Sequence, residues 1–212
     1  DGKISVTDIG HKLAKGEIEF ADFMLEALLK FQYPNPYESG FLDWNTKPFI
    51  NSLRLIKTVN QKCNEKGLKA KGISRLEFGI FALSMKTYNL VEKTADDILS
   101  FREQYEAISD DEIKDEFVKD FINSYLSGFK NPVDNVKEYT DNMIRYLRLT
   151  RYIYIRGKYS NTYIDLEPRR STEIDAILEA DKGIAKEFSE KEWRDYMGTY
   201  ATYVLPFETV EK

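Results

Sequence analysis

Apolar positions recur at three- and four-residue steps through most of this chain and change to strict alternation in one place. From Gly16, the residues Phe20, Phe23, Met24, Ala27, Leu28 and Phe31 share one helical face until "YPNPYESG" stops the pattern. A second helix is predicted from Pro48, capped by Thr46, with Phe49, Leu53, Ile56 and Val59 buried up to a turn at Gly67. "GISRLEFGIFALSM" predicts a third. There Ser74 and Glu77 stand at capping-box spacing, and Leu76, Ile80, Phe81 and Leu83 face inward. Further helices are expected from about Tyr88 to Tyr105, from Ser109 to Tyr125 with a Ser109/Glu112 capping box, and from Pro132 to Thr150. Only after these does the period fall from about 3.6 to 2. "RYIYIRG" and "NTYIDL" read as strands joined by a turn at Gly157 to Ser160, and two helices follow, from about Ser171 to Phe188 and from Ser189. At the other end, Lys3, Ser5 and Thr7 alternate with Ile4 and Val6 as in a short strand, ahead of a Thr-Asp helix cap.

A helix that runs almost without a break into a hairpin is the order of elements in a winged helix-turn-helix. The expected fold class is therefore mainly α: a winged helix-turn-helix-like helical domain whose small two-stranded β-hairpin is the wing. In that architecture the helix before the hairpin enters the major groove. "NPVDNVKEYTDNMIRYLRLT" suits this place, with Val136, Thr140, Met143 and Leu147 as the seam toward the core. Lys137, Asp141, Arg145 and Arg148 form a neighbouring stripe, with Asn142 beside Arg145. Arginine can bond a guanine edge and asparagine an adenine edge, whereas Asp141 either accepts from cytosine or holds Arg145 four residues on.

Charge sharpens the picture. The chain carries a formal net charge of −5, yet Arg145, Arg148, Arg151, Arg156 and Lys158 follow one another with no acid between them. A local field of this kind steers a polyanion whatever the sign of the total. A second basic stretch, "KCNEKGLKAKGISR", offers Lys69, Lys71 and Arg75 at a turn before a capped helix start, where they form a phosphate clamp or a soluble loop.

Composition excludes other classes. Hydrophobic residues at 42% and aromatics at 14% describe an ordered globular protein. No apolar run reaches membrane-spanning length and no secretory leader is visible, so a cytoplasmic location is expected. One cysteine and one histidine cannot supply a Cys/His zinc cluster, and they leave a His-dependent triad with little material. "DEIK" at Asp111 to Lys114 has the short half of a metal-nuclease pattern, but at a helix start instead of on a strand. No glycine-rich phosphate loop is present. No catalytic residue is expected in this chain.

"ISVTDIGHKLAKGEIEFADFMLEALLKFQYPNP", "PFINSLRLIKTVN", "GISRLEFGIFALSM", "ADDILSFREQYE" and "IRYLRLTRYIYIRG" resemble, in order, successive segments of the DNA-recognition half of AlwI-like type IIS restriction and nicking endonucleases. The resemblance implies recognition subdomains of helix-turn-helix type, a helical linker, and a separate C-terminal nuclease domain that cuts outside a short asymmetric site. "NEKGLKAKGISR" is longer than the family pattern leads one to expect. On this basis residues 1–15 are the remnant strand and helix start of a preceding winged-helix subdomain. Residues 16–188 are the DNA-recognition domain with its wing at about 151–166, and 189–212 hold a C-terminal helix and the start of the linker. The expected partner is double-stranded DNA, bound by a monomer through Lys137, Asn142, Arg145, Arg148, Arg151, Arg156, Lys158, Lys69, Lys71 and Arg75. The missing nuclease domain or a cleavage subunit is the other expected partner. No cofactor is expected here, Mg2+ being needed only by the nuclease domain. A stand-alone winged-helix transcriptional regulator and a helical protein-interaction module are the alternatives.

Overall fold

The stripe from Phe49 to Val59 becomes the central helix, because burying it removes a continuous apolar surface from water. The fold, taken from a computed structural model, is described for residues 5–157 and 162–200. Its elements in order are α1 (Asp8–Ala14), α2 (Phe20–Lys30), α3 (Pro48–Glu65), β1 (Ile73–Ser74), α4 (Arg75–Glu77), α5 (Val91–Ala107), α6 (Asp111–Tyr125), α7 (Pro132–Leu149), β2 (Ile153–Arg156), β3 (Tyr163–Leu166), α8 (Ser171–Ala180) and α9 (Glu190–Gly198). The architecture is mainly helical with a small three-stranded antiparallel sheet. Helix α3 lies at its centre, packed by α5, α8, α2 and β3. Phe49, Leu53, Ile56 and Val59 are all fully buried, as their spacing demands. No helix among the described residues is long and apolar enough to cross a membrane.

The sheet differs from the expected hairpin. Strand β3 pairs with β2 on one side and with β1 on the other, giving the order β1-β3-β2. "GIS" thus supplies a short edge strand before its helix, a pairing to residues about ninety positions downstream that no local pattern announces. Gly72 makes it possible: its φ of 75° is left-handed, and a Cβ there would run into the backbone at Ile164 and Asp165. The helix that follows is also shorter than its periodicity predicts. Ser74 and Glu77 form the expected capping box, but after Glu77 the backbone widens into a π-turn, Phe78–Ala82.

Other expectations shift for local reasons. Lys47, not Thr46, is the N-cap of α3; the Thr46 hydroxyl instead accepts from Asn51 Nδ2 at 2.8 Å. Asp110, not Ser109, caps α6, its carboxylate accepting from the amides of Glu112 and Ile113. The helix expected to reach Phe188 stops at Ala180, since Asp181 is extended with its carboxylate on Lys47 Nζ at 2.6 Å, and Gly183 takes a φ of 78°. Phe20 remains 53% exposed, while Glu26 and Lys30 of the same helix are buried as an ion pair at 2.7 Å. Residues 5–7 form no strand, although Thr7 does cap α1 as its hydroxyl accepts from Gly10 N; Lys3 and Ile4 lie outside the described residues, as does the turn beyond Gly157. Helix α1 packs against α2 and α9.

Candidate nucleic-acid interface

Helix α7 is oriented by its inner face. Val136, Thr140 and Leu147 are buried, and Met143 packs against the core, so the predicted seam is the real one. Gly79 in the π-turn lets the two backbones approach, because a Cβ there would overlap the Thr140 hydroxyl and lie 2.8 Å from Val136 Cγ1. With that seam fixed, the helix turns Lys137, Asn142, Arg145 and Arg148 to solvent. Among the described residues these four side chains make no hydrogen bond or ion pair. An open hollow on the same face is lined by Asp134, Lys137, Glu138, Asp141, Asn142 and Arg145.

The charge on this face is graded. The stretch of α7 up to Asp141 holds the acids Asp134, Glu138 and Asp141 with one base, Lys137, whereas the residues after Asp141 hold Arg145 and Arg148 and no acid. The positive field is therefore strongest where α7 passes into β2, and it also complements the negative end of the helix dipole. Two tyrosines that sequence reasoning did not single out, Tyr139 and Tyr146, are 57% and 48% exposed on the same helix.

The remaining basic candidates are occupied to different degrees. Arg75 reaches across from α4 and pairs with Asp141 of α7, which joins the two basic stretches that the sequence shows apart. This also settles the partner of Asp141, which is Arg75 and not Arg145. Arg151 sits at the α7–β2 junction with a φ of 63° and pairs with Glu19 at 2.6 Å. Both pairs are substantially exposed. Such pairs contribute only about 0–1 kcal/mol, so a phosphate can displace the carboxylate cheaply. Arg156 is different. It donates to the carboxylate of Asp165 at 2.8 Å, and Asp165 is only 5% exposed and also takes a bond from Asn60. Releasing Arg156 would strand a buried carboxylate, so it acts as a strut of the sheet.

In the loop before β1, Lys71 lies against Glu106 at 3.3 Å and over the ring of Tyr163 at 4.6 Å. Burial there works against its charge, but the contact with Tyr163 holds its pKa above the ordinary lysine value. Lys69 is exposed and has no partner among the described residues, whereas Lys158 lies outside them. Arg169, exposed in the turn after β3, stands apart from the basic run, beyond Asp165 and Glu167. Its neighbour Arg170 is tied to Glu173 at 2.6 Å.

Among the described residues, no group of three or more His, Cys, Asp or Glu could hold a metal ion. Asp111 to Lys114 is the exposed first turn of α6, with the Lys114 ammonium 5.3 Å over the Tyr105 ring.

The family model of the AlwI restriction endonuclease matches residues 1–212. This chain belongs to the AlwI restriction endonuclease family. No curated protein matches it. Membership of the AlwI family supports a restriction-enzyme role with DNA as the substrate.

Proposed function

We propose that this chain reads a short, asymmetric duplex sequence for a type IIS enzyme of the AlwI family, as a monomer in the cytoplasm. Helix α7 lies in the major groove and the β2–β3 hairpin rests as a wing on the adjoining backbone. The single observation that carries this reading is the solvent-facing set Lys137, Asn142, Arg145 and Arg148, which no side chain of the described fold neutralises, on the helix that runs directly into the hairpin.

The sheet lends support. In a winged helix-turn-helix, a short strand after the first helix pairs with the second strand of the wing, and α3, β1, α4, α7, β2 and β3 follow that order. The α5–α6 pair is an insertion between the two helices of the motif. Phosphates are met by Lys137, Arg148, Arg151, Lys158 and the loop cations Lys69 and Lys71, and bases by Asn142 and Arg145. Cleavage, with the Mg2+ it requires, belongs in this reading to a separate domain.

Selection of the purified chain against random duplexes across a salt series tests the proposal. The expected result is affinity that falls steeply with salt and enrichment of one asymmetric motif. A palindrome bound by a dimer would instead indicate a regulator, and affinity that does not respond to salt would remove DNA from the account.

A further inference from the structure

Among the described residues, the pair between Arg75 and Asp141 is the one ion pair between a base of the second cationic stretch and an acid on the groove-facing helix. Its two side chains are 45% and 39% exposed, so the pair is presented to solvent. Asp141 lines the same hollow as Asn142 and Arg145. Arg75 is held in place independently of it, because its backbone amide donates to Thr162 O at 3.0 Å, and the capping box fixes the turn on either side. The arginine is therefore delivered to α7 by the sheet and α4, whether or not Asp141 is there.

An acid in the middle of a DNA-facing helix is unfavourable toward every phosphate, and an acid–base pair on a surface contributes too little to require it. Such a carboxylate is useful where a base presents a hydrogen-bond donor. In the major groove that donor is the amino group of cytosine, N4, for which a carboxylate is the fitting acceptor. Building on the reading of α7 as the groove helix, we infer that Asp141 is a specificity-determining residue and that its pair with Arg75 opens on the cognate site. On random DNA the two charges stay together, Asp141 repels the backbone, and Arg75 is withheld from it. On the cognate site the cytosine amino group takes Asp141, and Arg75 is released to the nearest phosphate. One substitution of partners thereby couples a base contact to a backbone contact, which raises discrimination above what either alone provides.

The test compares the chain with its D141N and R75Q variants by duplex selection and by binding to the selected and to random duplexes across salt. D141N should flatten the preference at one base-pair position, by roughly 5- to 150-fold, and leave the others intact. It should also bind random DNA about two- to tenfold more tightly, with a slope of log K against log salt steeper by about 0.9 as Arg75 gains a phosphate. R75Q should lower the slope by about 0.9 on the selected site and leave random DNA nearly unchanged. If the unmodified chain selects a motif and D141N selects the same one with equal stringency, the inference is overturned while the DNA-reading function stands. A flattened position without the gain on random DNA overturns the coupling to Arg75, and equal losses on both duplexes reduce Asp141 to a structural role. An unmodified chain without salt-dependent binding overturns the function and this inference together.

Discussion

The guanidinium of Arg102 grips the carboxylate of Glu77 through two hydrogen bonds, Nε to Oε1 at 2.9 Å and Nη2 to Oε2 at 2.7 Å, with both residues buried. Glu77 also closes the capping box of α4 by accepting from Ser74 N at 2.6 Å, and Arg102 donates to Gly72 O at 3.0 Å. One ion pair thus ties α5 to the β1–α4 turn that carries Arg75. Burial works against the charge on Arg102, and the hydrogen bonds to Glu77 more than offset it, so its pKa stands above the ordinary arginine value. Replacing Arg102 by Met leaves a buried carboxylate unpaired, and should cost about 3–5 kcal/mol in a denaturant titration. The double variant R102M/E77Q should recover part of that loss, and a double as unstable as the sum of the singles would disprove the coupling.

Gly79 marks the closest approach between the π-turn and α7. G79A should force α7 outward and cost about 1–3 kcal/mol, read as a lowered Tm. DNA affinity should drop by more than the stability loss explains, because the exposed face of α7 is carried by the displaced helix. Unchanged affinity in a folded G79A chain would show that the position of α7 is not critical.

Two arginines near each other in sequence should behave differently. Arg145 has no partner among the described residues, whereas Arg156 is bound to Asp165. R145A should therefore leave stability within about 0.5 kcal/mol of the parent and lose roughly 1–3 kcal/mol of base discrimination. R156A should do the reverse, losing about 1–3 kcal/mol of stability through the stranded carboxylate with little change in which sequence is preferred. Calorimetry and competition binding on the same two variants decide it.

Alkaline pH should loosen the C-terminal part of the fold. Tyr196, stacked on Phe188, has its pKa pushed up from 10 to about 12 by burial first and then by the charges of Asp181 and Glu26. Ionisation is easier in the unfolded chain, so the stability that Tyr196 contributes is complete below pH 10 and is lost as pH rises toward 12. Denaturation measured across this interval should show the decline, and Y196F should make it shallower.

Much of this protein was written locally. The stripes of α3 and α7, the capping box at Ser74 and the alternation of the β2–β3 strands follow from side-chain period and cap chemistry, which operate within a few residues. They sufficed to predict a mainly helical chain, a hairpin after the last long helix, and which side of α7 would face water. The breaks came where a distant partner outweighed local preference. Lys47 draws Asp181 out of a helix that periodicity would have continued, and β3 draws Ile73 and Ser74 into a sheet.

The same division runs through the candidate interface. Sequence alone identified the basic run, because charge is a property of single residues. It could not tell which of those charges are available, because that depends on what folding brings within about 4 Å. Glu19 meets Arg151 from 132 residues away, Asp165 holds Arg156 from the facing strand, and Asp141 takes Arg75 from another helix. Tertiary structure thus sorted one uniform basic run into struts, releasable pairs and free contacts. Local patterning had already determined the helix on which the free ones stand.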